Sequence, residues 1–216
     1  STSATYENNN DYPFMEDHHV TPDLMYSYSK KISEDYLKFR SLKLDASKTY
    51  ILRFFNVFGY NQDISRKNPP LTAYLIDCIS ENNVAKIYND NPNIKRDYIF
   101  INDLIRVFEF LIKSKSKNKL KLLNVTSALE YSVEDIISIL NEITSKTLQI
   151  SYQKPQNIWL KYPEILKKIP VDRIKSEVYK SSLGDNNKLK SILPDSFKFT
   201  SMKEGLSLMI KSKNND

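Results

Sequence analysis

The chain has 216 residues, of which 40% are hydrophobic and 27% charged, as expected for a soluble globular protein with a real core. No apolar run approaches the roughly 18 residues of a membrane-spanning helix, and the first residues do not resemble a signal peptide, so we expect a cytoplasmic protein that does not bind membranes. The net charge of +6 suits an anionic partner. However, no aromatic residues interleave with the densest lysine run at 113–121, so nucleic-acid binding is a disfavoured alternative.

Helices and strands alternate along the chain. The stretch from Leu24 to about Leu44 has no Gly or Pro and spaces its apolar residues helically, which predicts a helix. The β-branched and aromatic residues of 49–59 predict one buried strand. Further predicted helices cover 71–83, 102–114, 132–145 and 200–212, and further predicted strands cover 85–89, 96–102, 120–127 and 148–153. This alternation favours an α/β fold with a largely parallel sheet.

Local signals refine this assignment. Asn102 or Asp103 is expected to cap the helix that begins there, and Ser132 and Asp135 are spaced like a capping box. The only cysteine, Cys78, excludes an internal disulfide framework, and its apolar neighbours predict a buried side chain. His18 and His19 are adjacent to Glu16 and Asp17, but neighbouring residues rarely converge on one ion and no cysteine or third histidine offers the remaining ligands, so we interpret the pair as solvent-exposed rather than as a metal site.

Tyr26 and Lys30 lie four residues apart in the first predicted helix, so their side chains share one helix face. A tyrosine hydroxyl is a poor base at neutral pH unless a nearby positive charge stabilises the phenolate, and a lysine one turn away can supply that charge. Such a pair could take a proton from a sugar hydroxyl while hydride leaves the same carbon. Because chance alone would produce one or two such pairs among 14 tyrosines, the pair needs context.

Four motifs supply that context: STSATYE at 1–7, YSYSK at 26–30, ILRFFNVFG at 51–59 and KRDYIFINDL at 95–104. Their order and spacing resemble the extended short-chain dehydrogenase/reductases, specifically the NAD-dependent nucleotide-sugar epimerase and dehydratase family, such as the UDP-glucose 4-epimerases. The resemblance implies the C-terminal part of a Rossmann-fold sheet with a smaller α/β substrate-binding lobe. It divides the chain into a catalytic part at 1–60 and a part at 61–216 that is mainly the substrate lobe, with some segments returning to the sheet.

The resemblance also implies roles for residues on the cofactor side. Tyr26 would be the catalytic base, and Lys30 its partner and a ligand of the NAD ribose. Thr2 would orient the reacting oxygen if Tyr6 matches the family's tyrosine, whereas a gap of one residue would give that role to Ser3. Phe55 would lie beside the nicotinamide.

On the substrate side, the resemblance places Asn56 and Arg96 at the diphosphate of the nucleotide sugar. A bidentate guanidinium suits phosphate oxygens, although a surface ion pair is the alternative for Arg96. Arg173 or Lys175 resembles the family's last phosphate and ribose contacts.

The expected reaction type depends on the two residues that follow Thr2. Dehydratases of the family carry an Asp-Glu pair directly after the threonine, and the matching residues here are Ser3 and Ala4. Because alanine cannot transfer a proton, epimerisation is expected rather than dehydration, while decarboxylation and reduction stay open.

The chain also departs from the family's pattern. It has only three glycines, Gly59, Gly184 and Gly205, and no Gly-rich phosphate loop, and Glu7 stands where the family has a glycine. We therefore expect the N-terminal βαβ half to be missing, and the 216 residues alone to bind NAD weakly and to be inactive. A non-catalytic nucleotide-sugar-binding or scaffold remnant is the alternative to an enzyme. Members of the family commonly form dimers, so the resemblance implies a homodimer. Alternatively, a separate N-terminal half could complete the chain.

Overall fold

A computed structural model describes residues 1–43, 48–88, 91–114, 120–155, 157, 164, 172, 175 and 178–213 of the chain. The chain divides into two compact units. The first unit comprises residues 1–57, 97–129 and 182–200, and the second comprises 58–96, 130–181 and 201–216. Within the described residues, no helix is long and apolar enough to cross a membrane.

The first unit begins with a short N-terminal 3₁₀ helix, Ser3–Tyr6, followed by the long helix α1, Met25–Lys43. The prediction of a helix over 24–44 is confirmed for the described residues. The buried positions of α1 are polar, with Ser27, Glu34 and Ser41 facing the interior. Its larger apolar side chains are exposed instead, namely those of Met25, Tyr26, Tyr28, Ile32, Tyr36, Phe39 and Leu42.

The sheet of the first unit pairs β1, Thr49–Phe54, in parallel with β5, Leu120–Val125. The register aligns Thr49 with Leu120 and Phe54 with Val125. The prediction of one strand over 49–59 is wrong in detail, because the ladder stops at Phe54 and a separate strand β2, Asn56–Phe58, follows. The main core of this unit is formed by Leu52, Ile99, Leu104, Val107, Leu111, Leu123, Val125, Leu189 and Leu193.

Strand β4, Arg96–Phe100, runs directly into helix α3, Ile101–Lys113. The expectation that Asn102 or Asp103 caps this helix is wrong, since Phe100 precedes it and makes no side-chain cap. Asp103 is fully buried, and its carboxylate accepts hydrogen bonds from the Thr200 backbone N–H at 2.7 Å and from the Thr200 hydroxyl at 3.0 Å. This long-range contact uses the carboxylate that was expected to cap the helix.

The second unit contains helix α2, Leu71–Ser80, in which Cys78 is buried as predicted. Strands β3, Ala85–Ile87, and β7, Ile150–Tyr152, form a parallel pair. Helix α4, Val133–Thr144, begins with the predicted capping box, in which Ser132 Oγ accepts the Asp135 backbone N–H at 3.0 Å. The sequence did not predict the short strand β6, Glu130–Tyr131. It also did not predict the short helix α5, Asn187–Lys190, which belongs to the first unit. The C-terminal helix α6, Met202–Lys213, packs against α4.

A third sheet has the strand order β2-β4-β6. Parallel strand pairs joined through helices confirm the predicted α/β class, because a parallel connection needs a crossover that a helix usually provides.

Candidate functional site

Helix α1 presents Tyr26 and Lys30 one turn apart. The Lys30 Nζ lies 5.6 Å from the centroid of the Tyr26 ring, and the Tyr26 side chain is 57% exposed. The pair therefore combines a cation near the tyrosine ring with access from solvent.

Thr2 and Ser3 lie at the start of the N-terminal 3₁₀ helix, which packs against α1. Thr2 forms an isolated parallel bridge with Phe54, the last residue of β1. Its Oγ1 accepts the backbone N–H of Ala4 at 3.2 Å, so this hydroxyl caps the 3₁₀ helix, whereas Ser3 lies inside that helix. Both hydroxyls thus belong to an element in contact with the helix that carries Tyr26.

The side chain of Glu7 joins these two elements. Its Oε2 accepts the backbone N–H groups of Asp23 at 2.6 Å and Leu24 at 3.0 Å, and the Ser27 hydroxyl at 2.6 Å. In the sequence, Glu7 stands out only because it occupies the position of the family's glycine. No local pattern could indicate that it meets the start of a helix many residues later.

A buried charged cluster anchors the middle of α1 to the sheet. Arg53 on β1 donates two hydrogen bonds to Glu34, at 2.9 Å and 2.7 Å, and both side chains are 1% exposed. The Arg53 Nη1 also donates to the Tyr6 hydroxyl at 2.7 Å, and that hydroxyl donates to Asn124 Oδ1 at 2.9 Å. The guanidinium carbon lies 4.7 Å from the Tyr6 ring centroid.

This cluster shifts the protonation equilibria of its members. Burial raises the pKa of Glu34, but hydrogen bonds from Arg53 and Ser1, together with the Arg53 charge, outweigh it and hold that pKa below its ordinary value of 4.5. Burial also acts to lower the pKa of Arg53, yet its bonds to Glu34 and Tyr6 raise it overall. Burial raises the pKa of the Tyr6 phenol. Glu34 and Arg53 are therefore held as an ion pair, and Tyr6 as a neutral hydrogen-bond donor.

Phe55 lies between β1 and β2 and is buried in a cluster with Tyr6 and Phe14. Its ring packs on Gly184, where an added Cβ would come within 2.5 Å of Phe55 Cζ and 2.7 Å of Thr126 Cγ2. Only a glycine fits this close approach. The absence of a side chain at Gly184 therefore lets the Phe55 ring pack directly on the backbone of the same unit.

The Asn56 side chain holds the start of β4. Its Nδ2 donates to the Asp97 backbone carbonyl at 2.7 Å and approaches Ser182 Oγ at 3.4 Å. The buried Asp97 carboxylate in turn accepts the Gly184 N–H at 3.0 Å and the Thr126 hydroxyl. The sequence prediction does not include Asp97, although the Arg-Asp pair of the fourth motif is a signal for it.

Two further predicted site residues, Arg96 and Lys175, lie in the second unit. Arg96 begins β4 and is partly buried. Lys175 is exposed, with its Nζ 3.9 Å from Asp172 Oδ1, and Arg173 lies outside the described residues. His18 Nδ1 accepts the Met15 N–H at 3.3 Å, and within the described part of the chain no cluster of three or more His, Cys, Asp or Glu residues could hold a metal.

Known proteins resemble this chain in sequence. It is 28% identical over 162 residues to dTDP-4-dehydro-6-deoxyglucose reductase of Escherichia coli, a match that covers 72% of this chain and 48% of the relative. It is 26% identical over 156 residues to a putative UDP-glucose 4-epimerase of Methanocaldococcus jannaschii, covering 72% and 49%. The chain thus spans about half the length of the curated relatives it matches.

Solved structures share the fold over the whole chain. UDP-N-acetylglucosamine 4-epimerase from Methanobrevibacter ruminantium M1 superposes with a TM-score of 0.79 at 22% identity, covering 100% of this chain and 61% of that one. UDP-glucose 4-epimerase from Thermotoga maritima gives 0.79 at 21% identity, covering 100% and 62%. The profile of the NAD dependent epimerase/dehydratase family matches residues 1–126. This match covers more than half of the chain and contains all four motifs, so the protein belongs to the NAD-dependent epimerase/dehydratase family.

Proposed function

We propose that the whole protein is an NAD-dependent enzyme that acts on a hydroxyl-bearing carbon of a nucleotide sugar such as a UDP-hexose, and that epimerisation is its reaction. The observation that carries the proposal is the Lys30 ammonium 5.6 Å from the Tyr26 ring, on a helix whose tyrosine is open to solvent. In this role, Tyr26 takes the proton of the sugar hydroxyl, and Lys30 stabilises the resulting phenolate. Thr2 or Ser3 orients the reacting oxygen.

The residues of the chain fit one end of NAD. The phenol of Tyr26 and the ammonium of Lys30 are a donor set that suits the ribose next to the nicotinamide, and we assign the buried Phe55 to the nicotinamide itself. When bound, NAD would accept the hydride from the sugar carbon and later return it. The three glycines do not form a loop that could hold the pyrophosphate, because they are far apart in sequence and Gly184 packs against Phe55.

On the substrate side, we assign Asn56 and Arg96 to the diphosphate of the nucleotide sugar, with Lys175 or Arg173 as a further contact. The amide of Asn56 already bonds the Asp97 carbonyl, so it is held in place before a ligand arrives. In this assignment, residues 1–60 carry the chemistry, and residues 61–216 mainly carry the nucleotide-sugar lobe.

Ala4 bears on the reaction type. Its backbone N–H and carbonyl are used within the 3₁₀ helix, and its methyl side chain cannot transfer a proton. This disfavours elimination of water by the acid pair that dehydratases use. Reduction is a second candidate, because the Escherichia coli relative with 28% identity is a reductase.

The exposed apolar residues of α1 other than Tyr26 support the predicted homodimer, in which they would be covered. A non-catalytic nucleotide-sugar-binding or scaffold remnant is the rival to the enzyme. It predicts that the whole protein never turns nucleotide sugars over and need not bind them.

Tyr26→Phe and Tyr28→Phe provide the test in the complete natural protein. Both tyrosines are exposed on the first turn of the same helix, so loss of either hydroxyl should cost similar stability. With NAD and UDP-hexoses, Tyr26→Phe is expected to lower kcat by about 10³-fold and to change the Kd of the nucleotide sugar by less than about 3-fold. Tyr28→Phe should keep wild-type turnover. Equal activity of the two variants would contradict the assignment of the base.

A further inference from the structure

The start of α1 depends on a side chain from outside the helix. The first N–H groups of a helix have no partner within it, and a carboxylate near them is favourable because of the helix dipole. The first turn of α1 contains no acidic residue, and Leu24 before it has an apolar side chain. Glu7 places a carboxylate there from outside the helix: one of its oxygens accepts the backbone N–H groups of Asp23 and Leu24, directly before α1, and the Ser27 hydroxyl in the first turn.

Glu7 is also part of the element that carries the two candidate hydroxyls. Its backbone N–H donates to the Ala4 carbonyl at 3.1 Å and thereby closes the N-terminal 3₁₀ helix. Ser27, its partner on α1, is completely buried, so its hydroxyl depends on protein partners such as the Glu7 carboxylate. A single residue therefore links the 3₁₀ helix of Thr2 and Ser3 to the turn of α1 that contains Tyr26.

We propose that Glu7 is a positioning residue for the reaction, which holds the Tyr26 phenol in place relative to the hydroxyls of Thr2 and Ser3. The inference rests on the proposed function, since it assumes that these groups act together. Proton transfer at a sugar hydroxyl needs the base and the orienting hydroxyl aligned within a fraction of an ångström. Tyr26 lies in the helix turn that would fray first without its cap, so loss of Glu7 disturbs this alignment directly.

The test compares Glu7→Ala, Glu7→Gln and Ser132→Ala in the complete natural protein. Glu7→Ala is expected to lower kcat at least about 10-fold while KM for the nucleotide sugar stays within about 3-fold, because binding groups elsewhere are untouched. Glu7→Gln should keep kcat within about 3-fold, since its amide oxygen can accept the same hydrogen bonds. Ser132→Ala removes the cap of α4 at similar cost in stability and should leave kcat unchanged.

Amide hydrogen exchange of residues 24–30 separates this inference from the proposed function. Glu7→Ala should speed exchange there at least about 10-fold, whereas Ser132→Ala should not. The inference is overturned if exchange at 24–30 is unchanged, or if Glu7→Ala and Ser132→Ala lower kcat equally. A wild-type protein without turnover on any nucleotide sugar refutes the proposed function, and faster exchange in Glu7→Ala then leaves Glu7 as a helix cap with no part in catalysis.

Discussion

Arg53→Met removes one partner of the ion pair that anchors α1 to β1. The substitution leaves the Glu34 carboxylate, 1% exposed, without the two hydrogen bonds of 2.9 Å and 2.7 Å, and it also removes the donor to the Tyr6 hydroxyl. Breaking a buried pair in this way typically costs about 3–5 kcal/mol. Since whole domains are stable by about 5–15 kcal/mol, a large share of the free energy of unfolding should be lost.

The assay is urea unfolding of the complete protein at pH 7. The matched control is Lys203→Met, which breaks the Lys203–Glu142 pair of 2.5 Å on the surface, where the two side chains are 55% and 62% exposed. An exposed pair contributes about 0–1 kcal/mol, so the control should lose little. The double variant Arg53→Met/Glu34→Leu should recover most of the loss, because no buried charge is left unpaired. A single variant that loses less than about 1 kcal/mol would refute this reasoning.

The dependence of stability on pH tests the same ion pair through the ionisation of Glu34. The pKa of Glu34 is lowered from 4.5, so its stabilising contribution is complete above about pH 4.5 and is lost as the pH falls through the lower folded-state pKa. The wild-type free energy of unfolding should therefore fall on acidification below about pH 4.5 more steeply than that of Arg53→Met/Glu34→Leu. Parallel curves for the two proteins would contradict the assignment.

Two further outcomes are expected. Gly184→Ala should lower the free energy of unfolding in urea by about 1–3 kcal/mol, because the new Cβ would lie 2.5 Å from Phe55 Cζ. The double variant Gly184→Ala/Phe55→Leu should recover part of this loss. Full stability of the single variant would contradict the packing. The 216 residues alone should show no saturable NAD binding in calorimetry, since their glycines form no phosphate loop. Stoichiometric NAD on that chain would disprove the second expectation.

Local patterns predicted the helices and strands well, and their boundaries less well. The capping box of Ser132 and Asp135 was confirmed because both partners lie within four residues, where the pattern itself contains the contact. The predicted cap of α3 was wrong, because β4 continues directly into the helix and because the Asp103 carboxylate accepts the backbone N–H of Thr200, 97 residues later in the chain. The apolar residues of α1 are spaced as a helix requires, but the buried side of this helix is its polar side, because Glu34 pairs there with Arg53 on β1.

The sequence by itself determined the α/β alternation, the four ordered motifs, and the Tyr26–Lys30 pair, because residues four apart on a helix meet whatever the rest of the chain does. Only the tertiary structure decided which distant side chains hold α1 and β4 in place. The contacts from Arg53 to Glu34, from Glu7 to Ser27, and from Asn56 to Asp97 join residues 19, 20 and 41 positions apart. Such contacts have no local signature, because they form only when strand, helix and 3₁₀ helix are packed together and the buried charges require partners.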